Sequence, residues 1–128
     1  MAAGELRPNL PTSQHPNITM QGPRATRPSE FDQVLAVVNG IFRAGIDQNI
    51  ATDYPLVYRS EHLENLRVLL EDGKIVAYLA IAPREVIDQG CQFLVGMVNG
   101  VATDPDYRGR GLARRVTEDA LARMLDYV

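Results

Sequence analysis

Six consecutive residues, Arg108 to Ala113, combine glycines and arginines in an order that suits phosphate binding. A helix is predicted to begin within them, because an apolar stripe follows at helical spacing: Leu112, Val116, Ala120, Leu121, Met124 and Val128. The first turn of a helix leaves backbone N–H groups without acceptors, and the helix dipole adds partial positive charge there. Glycine lets the backbone approach an anion closely, and arginine adds a full charge. The sequence therefore predicts a pyrophosphate-binding loop between Arg108 and Arg114.

Other phosphate-binding loops fit this segment less well. The dinucleotide fingerprint G-x-G-x-x-G fails, because Gly109-Arg110-Gly111 is followed by Leu112, Ala113 and then Arg114 where the third glycine is required. The P-loop fails because no Gly-Lys-Ser/Thr follows. The alternative is a solvated helix start whose arginines (108, 110, 114 and 115) bind nothing. Phosphate binding is favoured because cations at a helix N-terminus oppose the dipole unless an anion lies between them.

Three predicted strands must position this loop. Leu66–Leu70, Ile75–Ala82 and the run from Phe93 to Ala102 are apolar, and turn signals at Asp72-Gly73 and Asp88-Gln89-Gly90 separate them. Tight turns predict an antiparallel meander, and strands that are apolar on both faces predict helices on both faces. Gly96 and Gly100 indicate a bulge or close approach of a ligand to the backbone; a plain turn at Asn99-Gly100 is the alternative.

The first half of the chain predicts a strand and a helix. Ile18 to Thr26 is a candidate strand, kept short or at an edge by Gly22-Pro23. Thr26 or Ser29 is a plausible cap for a helix that ends at Gly45, with an apolar stripe at Phe31, Val34, Leu35, Val38, Ile41 and Phe42. Residues 47–58 predict a loop or one short helix, and 60–64 a helical turn or a lead into the next strand. Residues 1–17 predict a flexible leader, with an ordered arm as the alternative.

Composition limits the classes of function. The 128 residues, 45% hydrophobic and 23% charged, suit one globular domain with one core. A net charge of −3 argues against general nucleic-acid binding. The single cysteine, Cys91, and two distant histidines, His15 and His62, predict neither an internal disulfide nor a metal site. Without a membrane-length apolar run or a signal peptide, we expect a cytoplasmic protein with no membrane partner.

The pattern R-x-x-G-x-A at 108–113, preceded by Val101-Ala102-Thr103-Asp104-Pro105-Asp106-Tyr107, resembles the coenzyme A motif of the GCN5-related N-acetyltransferases (GNAT). The segment Tyr58-Arg59-Ser60-Glu61-His62 also resembles bacterial members. The resemblance covers about residues 18–128. It implies an α+β fold, the acyl-CoA N-acyltransferase fold, with a mostly antiparallel mixed sheet flanked by helices on both faces.

The resemblance also implies acetyl-CoA as co-substrate and a primary amine as acceptor, with direct attack of the amine on the thioester. Backbone groups at Val101, Ala102 and Thr103 would hold the pantetheine arm and polarise the thioester carbonyl. N–H groups of Gly109, Arg110, Gly111, Leu112, Ala113 and Arg114, together with Arg108, would hold the pyrophosphate.

The family motif does not fix the general base. The candidates are Glu85, Glu61 and His62, and each has an ordinary structural alternative as a solvent-facing or hydrogen-bonded side chain. Tyr54, Tyr58 and Tyr78 are candidates for an acceptor site, although core packing is the simpler role for each. Met97 is expected to fill the core, and Cys91 to be inert.

The family fold continues beyond the motif helix, so at Val128 we expect a domain that is incomplete at its C-terminus. The motif strand would then be an open apolar edge, which invites homodimerisation or a partner chain. The alternative to an active enzyme is a non-catalytic remnant that binds coenzyme A or another protein. A third class, a nucleotide-phosphate binder, would respond equally to ATP.

Overall fold

The structure is a computed structural model that describes residues 20–126. The strands are β1 (Met20–Ala25), β2 (Leu66–Glu71), β3 (Lys74–Asp88) and β4 (Cys91–Thr103). The α-helices are α1 (Phe31–Phe42), α2 (Ile50–Asp53) and α3 (Leu112–Leu125), and short 3-10 helices cover Pro28–Glu30, Ser60–Asn65 and Pro105–Tyr107. The predicted leader, His15 and Val128 lie outside the described residues.

The four strands form one sheet in the order β1-β2-β3-β4, and every pairing among the described residues is antiparallel. The register shifts at three places, once between Gln21 and Arg24 of β1 and once on each side of β3. Between β2 and β3 the register shifts at Leu69/Leu70, so Val76 and Ala77 face the same side of the sheet. Between β3 and β4, Ala80 pairs with Gly100 and Ile81 with Val98, which leaves Asn99 as the extra residue. The bulge predicted at Asn99-Gly100 is therefore confirmed over the plain turn.

Helices cover both faces of the inner strands. On one face, Val34 and Val38 of α1 are fully buried against β2 and β3. On the other face, Val116 and Ala120 of α3 pack on Leu79 and its neighbours. The predicted apolar stripes are thus confirmed except at Leu121 and Phe42, which are 57% and 40% exposed. The expected α+β fold with an antiparallel sheet between helices is confirmed.

Strand β4 differs from this pattern because it lies at the edge of the sheet. Its apolar side chains Phe93, Leu94, Met97, Val98 and Val101 are 37–52% exposed. The predicted open apolar edge is present among the described residues. The expectation that Met97 fills the core is wrong: its side chain is 52% exposed, although Met124 of α3 lies over the neighbouring Gly96.

Smaller predictions are also corrected. The hydroxyl of Thr26 does not cap a helix; it is buried and donates to the carbonyl of Leu66 at 2.7 Å. Helix α1 ends at Phe42, three residues before Gly45. At Gly96 and Gly100 the space that a side chain would need is filled from within the chain, since ideal Cβ atoms there would lie 2.7 Å from Met124 Sδ and 2.5 Å from Tyr78 Oη.

No helix among residues 20–126 is long and apolar enough to cross a bilayer. Within the same residues, no three His, Cys, Asp or Glu side chains are grouped so that they could hold a metal ion.

Candidate functional site

A cavity of about 430 Å³ opens where the end of β4 meets the start of α3. We call it the loop cavity. It is walled by the last residues of β4, by the arginine–glycine loop and by the end of α1: Ile41, Phe42, Val101, Ala102, Thr103, Tyr107, Arg108, Gly109, Gly111, Leu112 and Ala113. The cavity thus lies at the junction that the sequence motif predicts.

The loop is held in place by short-range polar contacts. Asp104 donates its backbone N–H to the carbonyl of Val76 at 2.8 Å, and its Oδ1 accepts from the N–H of Asp106 at 2.9 Å. The Tyr107 hydroxyl donates to Glu71 Oε1 at 3.0 Å, and this hydrogen bond raises the pKa of Tyr107. Lys74 Nζ lies 5.4 Å, and the Arg110 guanidinium carbon 4.8 Å, from the centroid of the Tyr107 ring. These contacts anchor the loop to the β2–β3 hairpin.

Two glycines give the loop its backbone path. Gly109 and Gly111 have φ values of +81° and +76°, in the left-handed region that disfavours other residues. An ideal Cβ at either position would meet no atom within 4 Å. Packing within the described chain therefore does not require a glycine at 109 or 111, and the space above both residues is open to a ligand.

The start of α3 is electropositive. Gly111 is its N-cap residue, no acidic residue occupies its first turn, and Arg115 N–H is already bonded to the Gly111 carbonyl at 3.2 Å. The N–H groups of residues 112–114 therefore have no acceptor inside the helix. Arg108 adds a guanidinium at the cavity wall, with its Nε 3.3 Å from the Thr103 carbonyl. Such an arrangement attracts an anion.

Eight of the ten residues predicted to bind the cofactor line this cavity. The other two do not: Arg110 lies over the Tyr107 ring, and Arg114 is an exposed residue that pairs with Glu118 at 3.1 Å. Sequence reasoning missed Ile41, Phe42 and Tyr107 as lining residues. The apolar stripe of α1 includes Ile41 and Phe42, but it predicts only which face of the helix is buried. It does not predict that the end of the helix lies beside β4 and the loop.

A second cavity of about 240 Å³ shares Phe42 and Val101 with the first. We call it the tyrosine cavity, because Tyr54, Tyr58 and Tyr78 line it, together with Phe42, Arg43, Ile50, Asn99, Gly100 and Val101. The hydroxyls of Tyr58 and Tyr78 are 2.8 Å apart, and burial raises the pKa of both. Asn99 Oδ1 is buried and accepts no hydrogen bond from the described residues. Tyr58 and Tyr78 are core residues as expected, whereas Tyr54 is exposed.

None of the three base candidates lines either cavity. Glu85 is exposed on β3 opposite Leu94. Glu61 is exposed, and hydrogen bonds from its own backbone N–H and from Arg59 lower its pKa, which weakens it as a base. His62 lines a separate cavity.

The chain also matches the model of a known protein family. Residues 23–127 match the family model described as "Acetyltransferase (GNAT) domain". No curated protein matches the chain.

Solved structures share the fold at low sequence identity. A GCN5-related N-acetyltransferase from Kribbella flavida superposes with a TM-score of 0.64 at 21% identity, over 86% of this chain and 27% of that one. A probable N-acyltransferase from Enterococcus faecalis V583 gives a TM-score of 0.64 at 16% identity, over 85% and 26%. A GNAT acetyltransferase from Brucella melitensis, solved in complex with acetyl-CoA, gives 0.55 at 20% identity, over 85% and 69%. This chain therefore spans about a quarter of the length of the first two.

Proposed function

This chain belongs to the GNAT family of acetyltransferases, and on that premise we propose that it binds acetyl-CoA in the loop cavity and transfers the acetyl group to a primary amine. One observation carries the proposal: the end of β4, the arginine–glycine loop and the first turn of α3 enclose a single cavity.

The residues present fit this co-substrate. The N–H groups at the start of α3, together with Arg108, would hold the pyrophosphate, and the open space over Gly109 and Gly111 leaves room for it. Val101, Ala102 and Thr103 lie on an edge strand that pairs only with β3 among the described residues, so their outward backbone groups are available to the pantetheine arm. When bound, acetyl-CoA supplies an acetyl group activated as a thioester.

The tyrosine cavity is the proposed entrance for the acceptor, because it shares Phe42 and Val101 with the loop cavity. The raised pKa values of Tyr58 and Tyr78 keep both hydroxyls protonated, so they serve as hydrogen-bond donors and not as bases. Asn99 also lines this cavity. The roles of Glu85, Glu61 and His62 as bases stay predictions.

Thermal unfolding with and without acetyl-CoA tests the binding step. At a hundred times the dissociation constant, a ligand that binds only the folded state stabilises it by about 2.7 kcal/mol. We expect that shift in the wild type and its loss in Gly111→Glu, because the new carboxylate would occupy the anion site. An equal response to ATP would instead support a general nucleotide-phosphate binder.

Gly90→Glu is the matched control. Gly90 also has a positive φ, +82°, and also has no atom within 4 Å of an ideal Cβ, but it lies in the β3–β4 turn. Both variants should carry a similar backbone cost of about 1–2 kcal/mol. If Gly90→Glu loses the acetyl-CoA shift to the same extent as Gly111→Glu, the loop cavity is not the binding site.

The exposed edge of β4 favours a second candidate, a non-catalytic module that binds another protein chain. Residues 91–103 contain no charged residue and no proline, the usual features that protect an edge strand from pairing. Concentration-dependent association in sedimentation, without acetyl transfer to any amine, would support this candidate over the enzyme.

A further inference from the structure

A third cavity, of about 270 Å³, lies between the segment after α2 and the middle of β3. We call it the arginine cavity. Its polar lining consists of Arg59, His62, Asn65 and Arg84, and its apolar lining includes Val57 and Ile81. Asn65 is itself buried, so the polar lining reaches into the protein as well as along its surface.

The lining of the arginine cavity carries cationic groups and no carboxylate. Arg59 has Glu61 at 3.5 Å, but both side chains are largely exposed, at 40% and 63%, so the pair is weak. Arg84 Nη1 donates to the carbonyl of the neighbouring Pro83 at 2.9 Å. Because a carbonyl is neutral, this hydrogen bond does not neutralise the charge of the guanidinium. The His62 imidazole adds a ring N–H as a further hydrogen-bond donor.

Such an arrangement is suited to an anion. Apolar walls strengthen the field of cations that line a concave site, and so raise the local concentration of negative ligands. A guanidinium presents paired donors that match the two oxygens of a carboxylate or phosphate. A cationic or polyamine ligand would be repelled from the same cavity.

The arginine cavity lies close to the proposed acceptor entrance. Tyr58 lines the tyrosine cavity, while its neighbours Val57 and Arg59 line the arginine cavity. On β3, by contrast, the side chains of Tyr78 and Ile81 face opposite sides of the sheet, since Tyr78 belongs to the core cluster under α1 and Ile81 to the one under α3. The two cavities are therefore neighbours along residues 57–59, where consecutive residues line one and then the other. An acceptor that occupies both cavities has to cross this segment.

We propose that the arginine cavity binds a carboxylate or phosphate group of the acceptor, so that the acceptor is an amine that also carries an anionic group. This inference rests on the proposed acetyl transfer. It excludes polycationic amines as preferred acceptors, because they lack the group that Arg59, Arg84 and His62 would bind.

The first test measures anion binding without turnover. The chain contains two histidines, His15 and His62, so the imidazole signals of His62 can be assigned by comparison with His62→Gln. Inorganic phosphate and acetate are titrated at constant ionic strength, with coenzyme A at saturation so that the loop cavity is blocked. We expect a saturable shift of the His62 signals that is lost in Arg59→Gln/Arg84→Gln. It should be kept in Arg27→Gln, which removes the charge of an exposed arginine outside the cavity.

The second test measures acceptor preference. Each ω-amino carboxylate is compared with its primary amide, and each aminoalkyl phosphate with its amino alcohol. We expect kcat/KM to favour the anionic member at least tenfold, as charge-assisted hydrogen bonds allow. The double arginine variant should lose this preference while its KM for acetyl-CoA stays unchanged.

The outcomes separate the two proposals. Acetyl transfer to anionic and neutral members at equal rates would overturn the anionic acceptor and leave the acetyltransferase proposal intact. Phosphate binding at His62 without any acceptor preference would show a site for a free anion and would also overturn it. Failure to bind acetyl-CoA would refute the proposed function, whatever the His62 signals show.

Discussion

The hydroxyl of Tyr78 lies 2.8 Å from that of Tyr58, and both tyrosines are buried beneath the bulge of β4. The Tyr78 hydroxyl occupies the space that a side chain at residue 100 would need, since an ideal Cβ on Gly100 would lie 2.5 Å from it. The position of β4 beside the tyrosine cavity therefore depends on the buried pair of tyrosines that fills the space next to Gly100.

Gly100→Ala should reduce the free energy of unfolding by about 1–3 kcal/mol, because the new methyl group overpacks against a buried hydroxyl. Tyr78→Phe removes that hydroxyl, so Gly100→Ala/Tyr78→Phe should be less destabilised than the sum of its single variants. Urea unfolding of all four proteins measures the coupling. Gly96→Ala is the control: its methyl would meet Met124, a flexible side chain that can move, so the cost should be small. Strict additivity at 100 and 78 would contradict the contact.

The carboxylate of Glu30 should contribute stability that acid removes. It accepts from Arg24 Nη1 and Nη2 at 2.9 and 2.7 Å and from the Arg27 N–H at 2.8 Å. The Arg24 hydrogen bond is the main cause that lowers the pKa of Glu30 to about 2. A carboxylate with a depressed folded pKa stabilises the fold above its ordinary value of about 4.3, and this contribution is lost as the pH falls toward 2.

Glu30→Gln should therefore lower the free energy of unfolding at pH 7 by on the order of 2 kcal/mol. The difference in unfolding free energy between this variant and the wild type should shrink by roughly that whole amount between pH 4.5 and pH 2. Urea unfolding across this range measures it. Glu85→Gln removes the same charge from an exposed position on β3 and should change stability little. A difference for Glu30→Gln that is constant with pH would rule out this role.

The ion pair between Arg67 and Asp119 should hold α3 on the sheet. Arg67 Nε and Nη2 donate to the two carboxylate oxygens at 2.6 and 3.1 Å, and the side chains are only 13% and 19% exposed. Asp119→Asn keeps the shape but removes the charge, so we expect a loss of about 1–3 kcal/mol in the free energy of unfolding. Glu118→Gln, on the same helix, breaks a pair that is 82% and 62% exposed and should cost no more than about 0.5 kcal/mol. Equal losses would contradict the assignment.

Phe42 should matter for ligand binding more than for stability. It lines both the loop cavity and the tyrosine cavity, and it is 40% exposed. Phe42→Ala removes apolar surface from the wall between them, so binding of acetyl-CoA should weaken by roughly tenfold or more in calorimetry. Ile46→Ala truncates another exposed apolar side chain that lines neither cavity, and should leave the affinity unchanged. An unchanged affinity in Phe42→Ala would remove Phe42 from the site.

The local part of the site could be predicted from the sequence. The spacing of apolar residues and the residue types that form turns are local properties of the sequence. They were therefore enough to locate the helix stripe at Leu112 and Val116, the hairpin at Asp72-Gly73 and the arginine–glycine loop. The bulge at Asn99 was also predictable, because a glycine inside an apolar strand commonly marks a bulge.

Tertiary structure decided what lies around that loop. The side chains of Phe42 and Ile41 reach the loop cavity only because α1 packs across the sheet and ends beside β4, a contact between residues far apart in the chain. The exposure of Met97 likewise depends on which strand forms the edge of the sheet, and an apolar pattern is the same in a covered strand and an open one. Sequence by itself therefore determined the fold class and the position of the arginine–glycine loop at the start of α3. Packing over long sequence separations decided the walls of the three cavities and which cationic side chains meet in one of them.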